Sequence, residues 1–284
     1  MNTYIDLSGG ISLADARAIG IFDSGLGGLT VAKEIIKLLP NENIVYFGDT
    51  GRVPYGTRSR ETIVKYARQD EKFLLNKDVK LIVAACGTVS SVASDNAKEL
   101  PVPFIEVVSH SVKSAVKTTK NKKIGILATS ATIASGSHKT QIKKLLPDCE
   151  VVESSGTLLV PLVEEGWTDA CDNVVYETVR RYLEPMIKAG VDTVILGCTH
   201  FPVLTQVISK VMGQGVTLIN MGTATALAVK ECLKLSDALN DSNNKGNHSY
   251  FVSDKTASFE KTASVLLNEN IDGNTVEQVD INSL

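Results

Sequence analysis

Short apolar runs alternate along the chain with longer stretches in which apolar residues recur every three or four positions. The short, β-branched runs predict buried strands, and the longer stretches predict helices that cover a sheet. Strands are predicted over residues 18–23, 43–49, 80–86, 103–108, 123–129, 149–155, 192–198, 216–220 and 250–254. The clearest helices are predicted over residues 30–39, 61–75, 172–190 and 256–267, and residues 237–249 are predicted to form a polar surface loop. This order of elements indicates βαβ units and therefore an α/β fold with mostly parallel sheets.

Two pairs of segments are similar to each other at nearly the same offset. AIGIFDSGLGG at 18–28 is similar to KIGILATSATIAS at 123–135, and LIVAACGTVS at 81–90 is similar to TVILGCTHFP at 193–202. Such a repeat predicts two pseudo-symmetric α/β halves. The alternative is that a strand followed by small residues is so common in α/β proteins that two copies carry no meaning. The sequence pattern alone leaves both interpretations open.

Composition narrows the class of protein. The 284 residues suffice for about two domains of roughly 150 residues each. Hydrophobic residues make up 43% and charged residues 21% of the chain, which excludes fibrous and disordered proteins. The net charge of -3 provides no basic surface for a phosphate backbone, so direct nucleic-acid binding is not expected.

The N-terminus and the cysteines indicate a compartment. The apolar runs are far shorter than the roughly 20 residues of a membrane span. No basic residue and no apolar block typical of a signal peptide precede Arg17, so we expect a cytoplasmic protein with no membrane contact. The five cysteines include no CxxC pair, which favours reduced thiols over a disulfide framework or a metal site.

Polar residues cluster where predicted strands end. Asp23 and Ser24 follow the first strand, Cys86 closes the third, and Cys198 closes its equivalent in the second half, with His200 two residues later. Ligands of open parallel sheets bind at this edge. The loop DSGLGG is similar to glycine-rich phosphate loops, but it lacks the GxGxxG spacing and a following Lys-Ser/Thr pair, so nucleotide binding is only weakly supported.

A cysteine at a strand end beside a helix start lies where the thiolate is favoured over the thiol. Two such cysteines facing one cleft would form a paired acid and base, whereas the simpler alternative for each is an inert thiol in the core. Cys149, Cys171 and Cys232 lie at no such position and are interpreted as structural.

The motifs DSGxGGLTV, GDTxxxPYG, ACxTxS and GCTHxP occur here in this order, and the chain resembles glutamate racemases of the aspartate/glutamate racemase family from Ala18 to the strand at 250–254. The resemblance implies two α/β domains with an active-site cleft between them. Residues 1–108 and 221–284 would form the first domain, and residues 109–220 the second. It also implies racemisation of glutamate without a cofactor or a metal, which supplies D-glutamate for peptidoglycan.

The resemblance also assigns roles to residues that match the family motifs. Cys86 and Cys198 match the two catalytic cysteines, Asp23 and His200 match residues that assist them, and Glu164 matches a supporting acid. The positions that match substrate-binding residues are Asp23, Ser24, Tyr55, Gly56, Gly87, Thr88, Thr199 and His200. A two-thiol arrangement is consistent with racemisation, which needs a base on one face of the substrate and an acid on the other.

The sequence departs from the family at several positions. Gly87 stands where the family usually has Asn, and Glu106 stands where it has Gly. The substitution Gly87→Asn is therefore expected to restore a hydrogen bond of about 1 kcal/mol and to lower the KM for glutamate. Because of Gly87, one alternative is that the protein is a racemase for aspartate or another amino acid. A second alternative is a non-catalytic binding or regulatory protein on the same scaffold. The resemblance also leaves open a homodimer and a cell-wall precursor that binds the N-terminal extension as an activator.

Overall fold

The computed structural model describes residues 15–93, 99–241, 243–255, 259–267 and 276–281, and these residues form two parallel sheets. The strands are Ile19–Asp23 (β1), Ile44–Gly48 (β2), Leu81–Ala84 (β3), Phe104–Glu106 (β4), Lys123–Ala128 (β5), Glu150–Ser155 (β6), Thr193–Gly197 (β7), Thr217–Asn220 (β8), His248–Val252 (β9) and Val276–Gln278 (β10). The first sheet has the order β10-β9-β2-β1-β3-β4, and the second has the order β6-β5-β7-β8. All pairings between these strands are parallel, so the predicted fold class is confirmed.

Helices cover both sheets. They are Leu29–Leu38 (α1), Arg60–Leu75 (α2), Gly87–Val92 (α3), Val107–Thr118 (α4), Ser130–Ser135 (α5), Ser137–Leu145 (α6), Leu159–Glu164 (α7), Asn173–Ala189 (α8), Thr205–Met212 (α9), Met221–Leu235 (α10) and Phe259–Leu267 (α11). Within the described ranges, no helix is both long and apolar enough to cross a membrane. The first three residues of the predicted 256–267 helix lie outside the described residues.

The predicted repeat is a repeat of topology. Strands β2-β1-β3-β4 of the first sheet have the same order as β6-β5-β7-β8 of the second. Gly20 in β1 pairs with Ile82, and Gly125 in β5 pairs with Val194. Each of these partners precedes a cysteine, Cys86 or Cys198, by the same number of residues. The matched register favours two related halves over two coincidental copies of a common pattern.

The last part of the chain returns to the first sheet. After β8 and α10, strand β9 pairs with β2, and β10 pairs with β9 at the sheet edge. The sequence pattern missed β10 because only three residues form it. The predicted boundaries at residues 108 and 220 lie at the starts of α4 and α10, and the division into two domains stays a prediction.

Local sequence explains where the helices begin and end. Helix α8 begins after Asp172, whose side chain accepts hydrogen bonds from two backbone N–H groups, and it ends at Gly190, which has a positive φ of 68°. The strand predicted over 103–108 is shorter than expected. Glu106 accepts hydrogen bonds from the N–H groups of Val108 and Ser109, so this side chain caps α4 and ends the strand.

Candidate active site

A cavity of about 480 Å³ lies where the carboxyl ends of the two sheets face each other. Every site residue predicted from the sequence lines it: Asp23, Ser24, Tyr55, Gly56, Cys86, Gly87, Thr88, Glu164, Cys198, Thr199 and His200. The first sheet supplies Cys86 directly after β3, and the second supplies Cys198 directly after β7. The two thiols therefore enter one cavity from two different sheets.

The sequence analysis missed part of the second half's lining. Thr129, Ser130 and Thr132 follow β5, and Gly156 and Thr157 follow β6. The sequence repeat could have identified the residues after β5, because Thr129 follows β5 as Ser24 follows β1. These hydroxyl groups give the cavity a polar wall that carries no charge.

Cys86 lies in an environment that holds its proton. Its thiol donates a hydrogen bond to Ser24 Oγ at 3.3 Å. Burial, reinforced by the negative charge of Asp23, raises the pKa of Cys86 to about 12. The expectation that the strand end and helix start would favour a thiolate is therefore wrong for Cys86, because burial and a neighbouring carboxylate outweigh the helix start.

Asp23 lies beside Cys86 at the end of β1. Its carboxylate accepts a hydrogen bond from the Gly25 N–H at 3.0 Å. Burial raises the pKa of Asp23, whereas the charge of His200 and the surrounding backbone N–H groups act in the opposite direction. Asp23 of the first half therefore interacts electrostatically with His200 of the second half.

The second thiol has a cationic partner. Cys198 Sγ lies 3.9 Å from Nδ1 of His200, and His200 Nε2 lies 3.2 Å from Glu164 Oε1. Within the described residues Nε2 makes no hydrogen bond of good geometry, so the Glu164 contact is an ion pair rather than a hydrogen bond. Burial alone would lower the pKa of His200, but Cys198 and Glu164 outweigh it and raise the pKa to about 10. The imidazole is therefore charged at neutral pH.

The glycines of DSGLGG allow the two halves to approach. A Cβ atom at Gly27 would lie 2.3 Å from Thr199 Oγ1 and 2.6 Å from the His200 ring. The hydroxyl of Thr30 donates a hydrogen bond of 2.7 Å to the Thr199 carbonyl across the same contact. Gly27 therefore packs against the Cys198 segment, and this contact accounts for the glycine at position 27.

Gly87 also lies at a close contact between the halves. A Cβ atom there would lie 2.9 Å from the carbonyl oxygen of Gly197, a backbone atom directly before Cys198. A side chain at residue 87 must therefore displace β7 or α3. This contact reverses the expectation that Gly87→Asn would improve substrate binding.

Tyr55 lines the cavity, yet its hydroxyl points elsewhere. The hydroxyl contacts the carboxylates of Asp49 and Asp70, and the side chain is buried. The Tyr55 hydroxyl is therefore engaged by two carboxyl groups of the protein. Across the described ranges, no group of three or more His, Cys, Asp or Glu side chains is arranged to hold a metal ion.

Comparisons with known proteins agree with this geometry. A family model for Asp/Glu/Hydantoin racemase matches residues 23–229. The glutamate racemase of Geobacter metallireducens is 46% identical over 244 residues, covering 86% of this chain and 90% of that protein. The crystal structure of glutamate racemase from Francisella tularensis in complex with D-glutamate matches with a TM-score of 0.87 at 35% identity, over 95% of this chain and 100% of that one. The Escherichia coli glutamate racemase in complex with L-glutamate and the activator UDP-MurNAc-Ala matches with a TM-score of 0.76 at 28% identity, over 93% and 98% of the two chains.

Proposed function

The chain belongs to the Asp/Glu/Hydantoin racemase family, and we propose that the reaction it catalyses is the interconversion of L-glutamate and D-glutamate. The substrate is inferred from the relatives, which are glutamate racemases, one of them in complex with D-glutamate. The observation that carries the proposal is the pair of thiols in one cavity. Cys86 and Cys198 reach it from different sheets, and each lies near an ionisable side chain, Asp23 for Cys86 and His200 for Cys198.

In the proposed mechanism the two thiols act on opposite faces of the substrate Cα. One cysteine, as a thiolate, takes the Cα proton, and the other, as a thiol, donates a proton to the carbanion from the other face. The reverse reaction exchanges these roles. No electron leaves or enters the protein, so one proton taken and one proton given complete the reaction. Cys198 is expected to deprotonate L-glutamate and Cys86 to deprotonate D-glutamate.

The protonation of the two half-sites supports this assignment of roles. A charged His200 donates from Nδ1 towards Cys198 Sγ, a contact that stabilises a thiolate. Cys86, with its raised pKa, retains its proton. In the proposed roles, His200 lies where it can stabilise a thiolate when Cys198 acts as the base, and Cys86 holds the proton that it donates when it acts as the acid.

The carbanion also needs stabilisation. Many of the side chains that line the cavity are buried, among them Asp23, Cys86 and Cys198, so we expect a bound substrate to displace water from the reacting atoms. Donors fixed in such a site stabilise developing charge more strongly than water does. On this basis the protein's own groups are proposed to suffice, and turnover is expected without an added cofactor.

The proposal extends to a biological role. D-glutamate would be supplied to peptidoglycan synthesis in the cytoplasm, with the protein as a monomer or homodimer. The Escherichia coli relative was crystallised with the activator UDP-MurNAc-Ala. For this chain an activator site on the N-terminal extension stays a hypothesis, and residues 1–14 of that extension lie outside the described residues.

The test is the change in circular dichroism when the purified protein, without added cofactor, is incubated with L-glutamate. We expect the signal to decay to that of the racemic mixture. The variant Cys171→Ala, which removes an exposed thiol outside the cavity, is the control and should behave as the wild type. If the signal decays with L-aspartate but not with L-glutamate, the protein is an aspartate racemase, which is the first alternative. No decay with any amino acid of a panel would favour the non-catalytic alternative.

A further inference from the structure

A buried polar cluster lies behind the cavity segment formed by residues 53–56. It consists of Asp49 and Arg52 after β2, Tyr55 in the segment itself, and Asp70 in α2, and we name these four residues the tyrosine anchor. Both carboxyl groups are fully buried, and Arg52 is nearly so. Residues 53–56 all line the cavity, so the anchor connects the interior of the first half to the candidate active site.

Asp49 acts in this cluster as an acceptor at every contact. Arg52 Nε donates to Asp49 Oδ2 at 2.6 Å, and the Tyr55 hydroxyl also lies against Oδ2. Ser253 Oγ donates to the other oxygen, Oδ1, at 2.7 Å. A carboxylate that receives three donors is an ionised carboxylate.

Asp70 differs from Asp49 in this respect. Its Oδ1 accepts from Arg52 Nη2 at 3.0 Å, and its Oδ2 lies 3.1 Å from the Tyr55 oxygen. The Tyr55 hydroxyl has one hydrogen, and the shorter contact to Asp49 takes it. An ionised Asp70 would have to share the single hydroxyl hydrogen with Asp49, whereas a protonated Asp70 can donate its own hydrogen to the Tyr55 oxygen and make both contacts hydrogen bonds.

The charge balance leads to the same assignment. One guanidinium faces two buried carboxyl groups, so one ionised carboxylate and one neutral acid leave the cluster without net charge. Burial raises the pKa of Asp70, the charge of Asp49 raises it further, and Arg52 acts in the opposite direction. Arg52 is fixed in place by Gln69 Oε1 at 2.6 Å and by the Tyr66 ring, whose centre lies 4.1 Å from the guanidinium carbon.

We propose that the ionised Asp49, Arg52 and the protonated Asp70 are positioning residues that fix Tyr55 and thereby hold residues 53–56 in the shape that receives the substrate. None of the three lines the cavity. They act through the Tyr55 hydroxyl, so their loss should disturb substrate binding more than proton transfer. The kinetic part of this inference rests on the proposed racemase activity.

Two isosteric variants separate the two carboxyl groups. In Asp70→Asn the amide oxygen can accept from Arg52 and the NH₂ can donate to Tyr55, so every contact survives. Both carboxylate oxygens of Asp49 accept hydrogen bonds, so in Asp49→Asn the NH₂ group takes the place of an accepting oxygen and at least one contact is lost. We expect Asp70→Asn to keep the KM for glutamate within about twofold of the wild type, and Asp49→Asn to raise it by about tenfold or more, with a smaller change in kcat. Tyr55→Phe, which keeps the ring but removes the hydroxyl, should raise KM in the same way if Asp49→Asn does not fold.

Hydrogen–deuterium exchange of the backbone at residues 53–58 supplies a readout that does not need activity. Exchange should be faster in Asp49→Asn and Tyr55→Phe and unchanged in Asp70→Asn. Equal damage by both Asn variants would overturn the proton assignment, and loss of thermal stability with unchanged KM would overturn the positioning role. If the wild type does not racemise glutamate, the proposed function fails, while the exchange measurement still decides whether the anchor holds the segment.

Discussion

The two thiols occupy equivalent positions of a repeated frame, but their surroundings carry opposite charges. Cys86 lies beside the carboxylate of Asp23 and donates to the hydroxyl of Ser24. Cys198 lies beside the imidazole of His200, which Glu164 contacts from the other side. The repeat has therefore preserved the strand order and the cysteine while the neighbouring ionisable group differs between the halves.

This difference gives the two thiols unequal electrostatic surroundings. Burial and the carboxylate of Asp23 raise the pKa of Cys86, whereas the imidazolium of His200 places a positive charge beside Cys198. The folded protein therefore places a cation beside one thiol and a carboxylate beside the other.

Removing either thiol should have the largest effect. Cys86→Ala and Cys198→Ala are each expected to lower racemisation by at least about a thousandfold, since a proton removed on one face can no longer be replaced from the other. The remaining thiol can still remove a proton and return it on the same face. In deuterated water, therefore, Cys86→Ala should exchange the Cα hydrogen of L-glutamate, and Cys198→Ala that of D-glutamate. Substantial racemisation by either variant, measured by circular dichroism, would contradict the two-thiol mechanism.

His200→Asn should have a smaller and one-sided effect. The loss of the imidazolium removes support for the Cys198 thiolate, so kcat should fall by about ten- to a hundredfold in the direction in which Cys198 is the base, and less in the other. The substrates are mirror images, so the equilibrium constant stays at one and kcat/KM must change by the same factor for both enantiomers. A larger loss of kcat for one enantiomer must therefore be accompanied by a lower KM for that enantiomer. Initial rates from each enantiomer provide the measurement.

Glu164→Gln provides the matched variant for that experiment. Glu164 is half exposed and pairs with His200, so Glu164→Gln should change kcat in the same direction by a smaller factor. An equal loss of kcat in both directions by His200→Asn, with KM untouched, would refute the one-sided role.

Gly87 tests the contact between the two half-sites. A Cβ atom at residue 87 would lie 2.9 Å from the Gly197 carbonyl and would push against the residue that precedes Cys198. Gly87→Asn and Gly87→Ala are both expected to raise the KM for glutamate by about three- to tenfold, because the Cβ atom is common to both. A lower KM in Gly87→Asn alone would show that the amide reaches the substrate and that the backbone gives way.

Much of this arrangement is predictable from periodicity and repeat. The strand ends carry Asp23, Cys86, Cys198 and His200, and each lines the cavity. Contacts between distant segments are not predictable in this way. The packing of Gly27 against His200 joins loops far apart in sequence, so the sequence allowed only a weak comparison of the glycine-rich loop with phosphate loops.

The charges of the site also depend on tertiary structure. Cys86 at a strand end predicted a thiolate, but its burial beside Asp23 decides otherwise. The sequence of helix α2 has a carboxyl group at a position where its periodicity predicts an apolar residue. Asp70 occupies the same buried face as Ile63, Ala67 and Leu74, where an apolar residue is expected. A buried carboxyl group in such a stripe indicates a partner, but Arg52 and Tyr55 can be identified only from the fold.

The last and smallest effect concerns stability, and it tests the His200 side of the comparison. The pKa of His200 is about 10 in the folded protein against 6.5 for an unperturbed imidazole. The folded state therefore binds this proton more tightly, and the stabilisation is complete below pH 6.5 and is lost as the pH rises towards about 10. Between about pH 7 and about pH 9, the Tm of the wild type should fall by about 3 °C more than that of His200→Asn. Cys86 contributes little in this window, because its pKa lies at about 12 in the folded protein and 9.0 for an unperturbed thiol. Parallel Tm profiles for the two proteins would show that His200 is not charged in the folded state, and the contrast between an acidic and a basic half-site would then be lost.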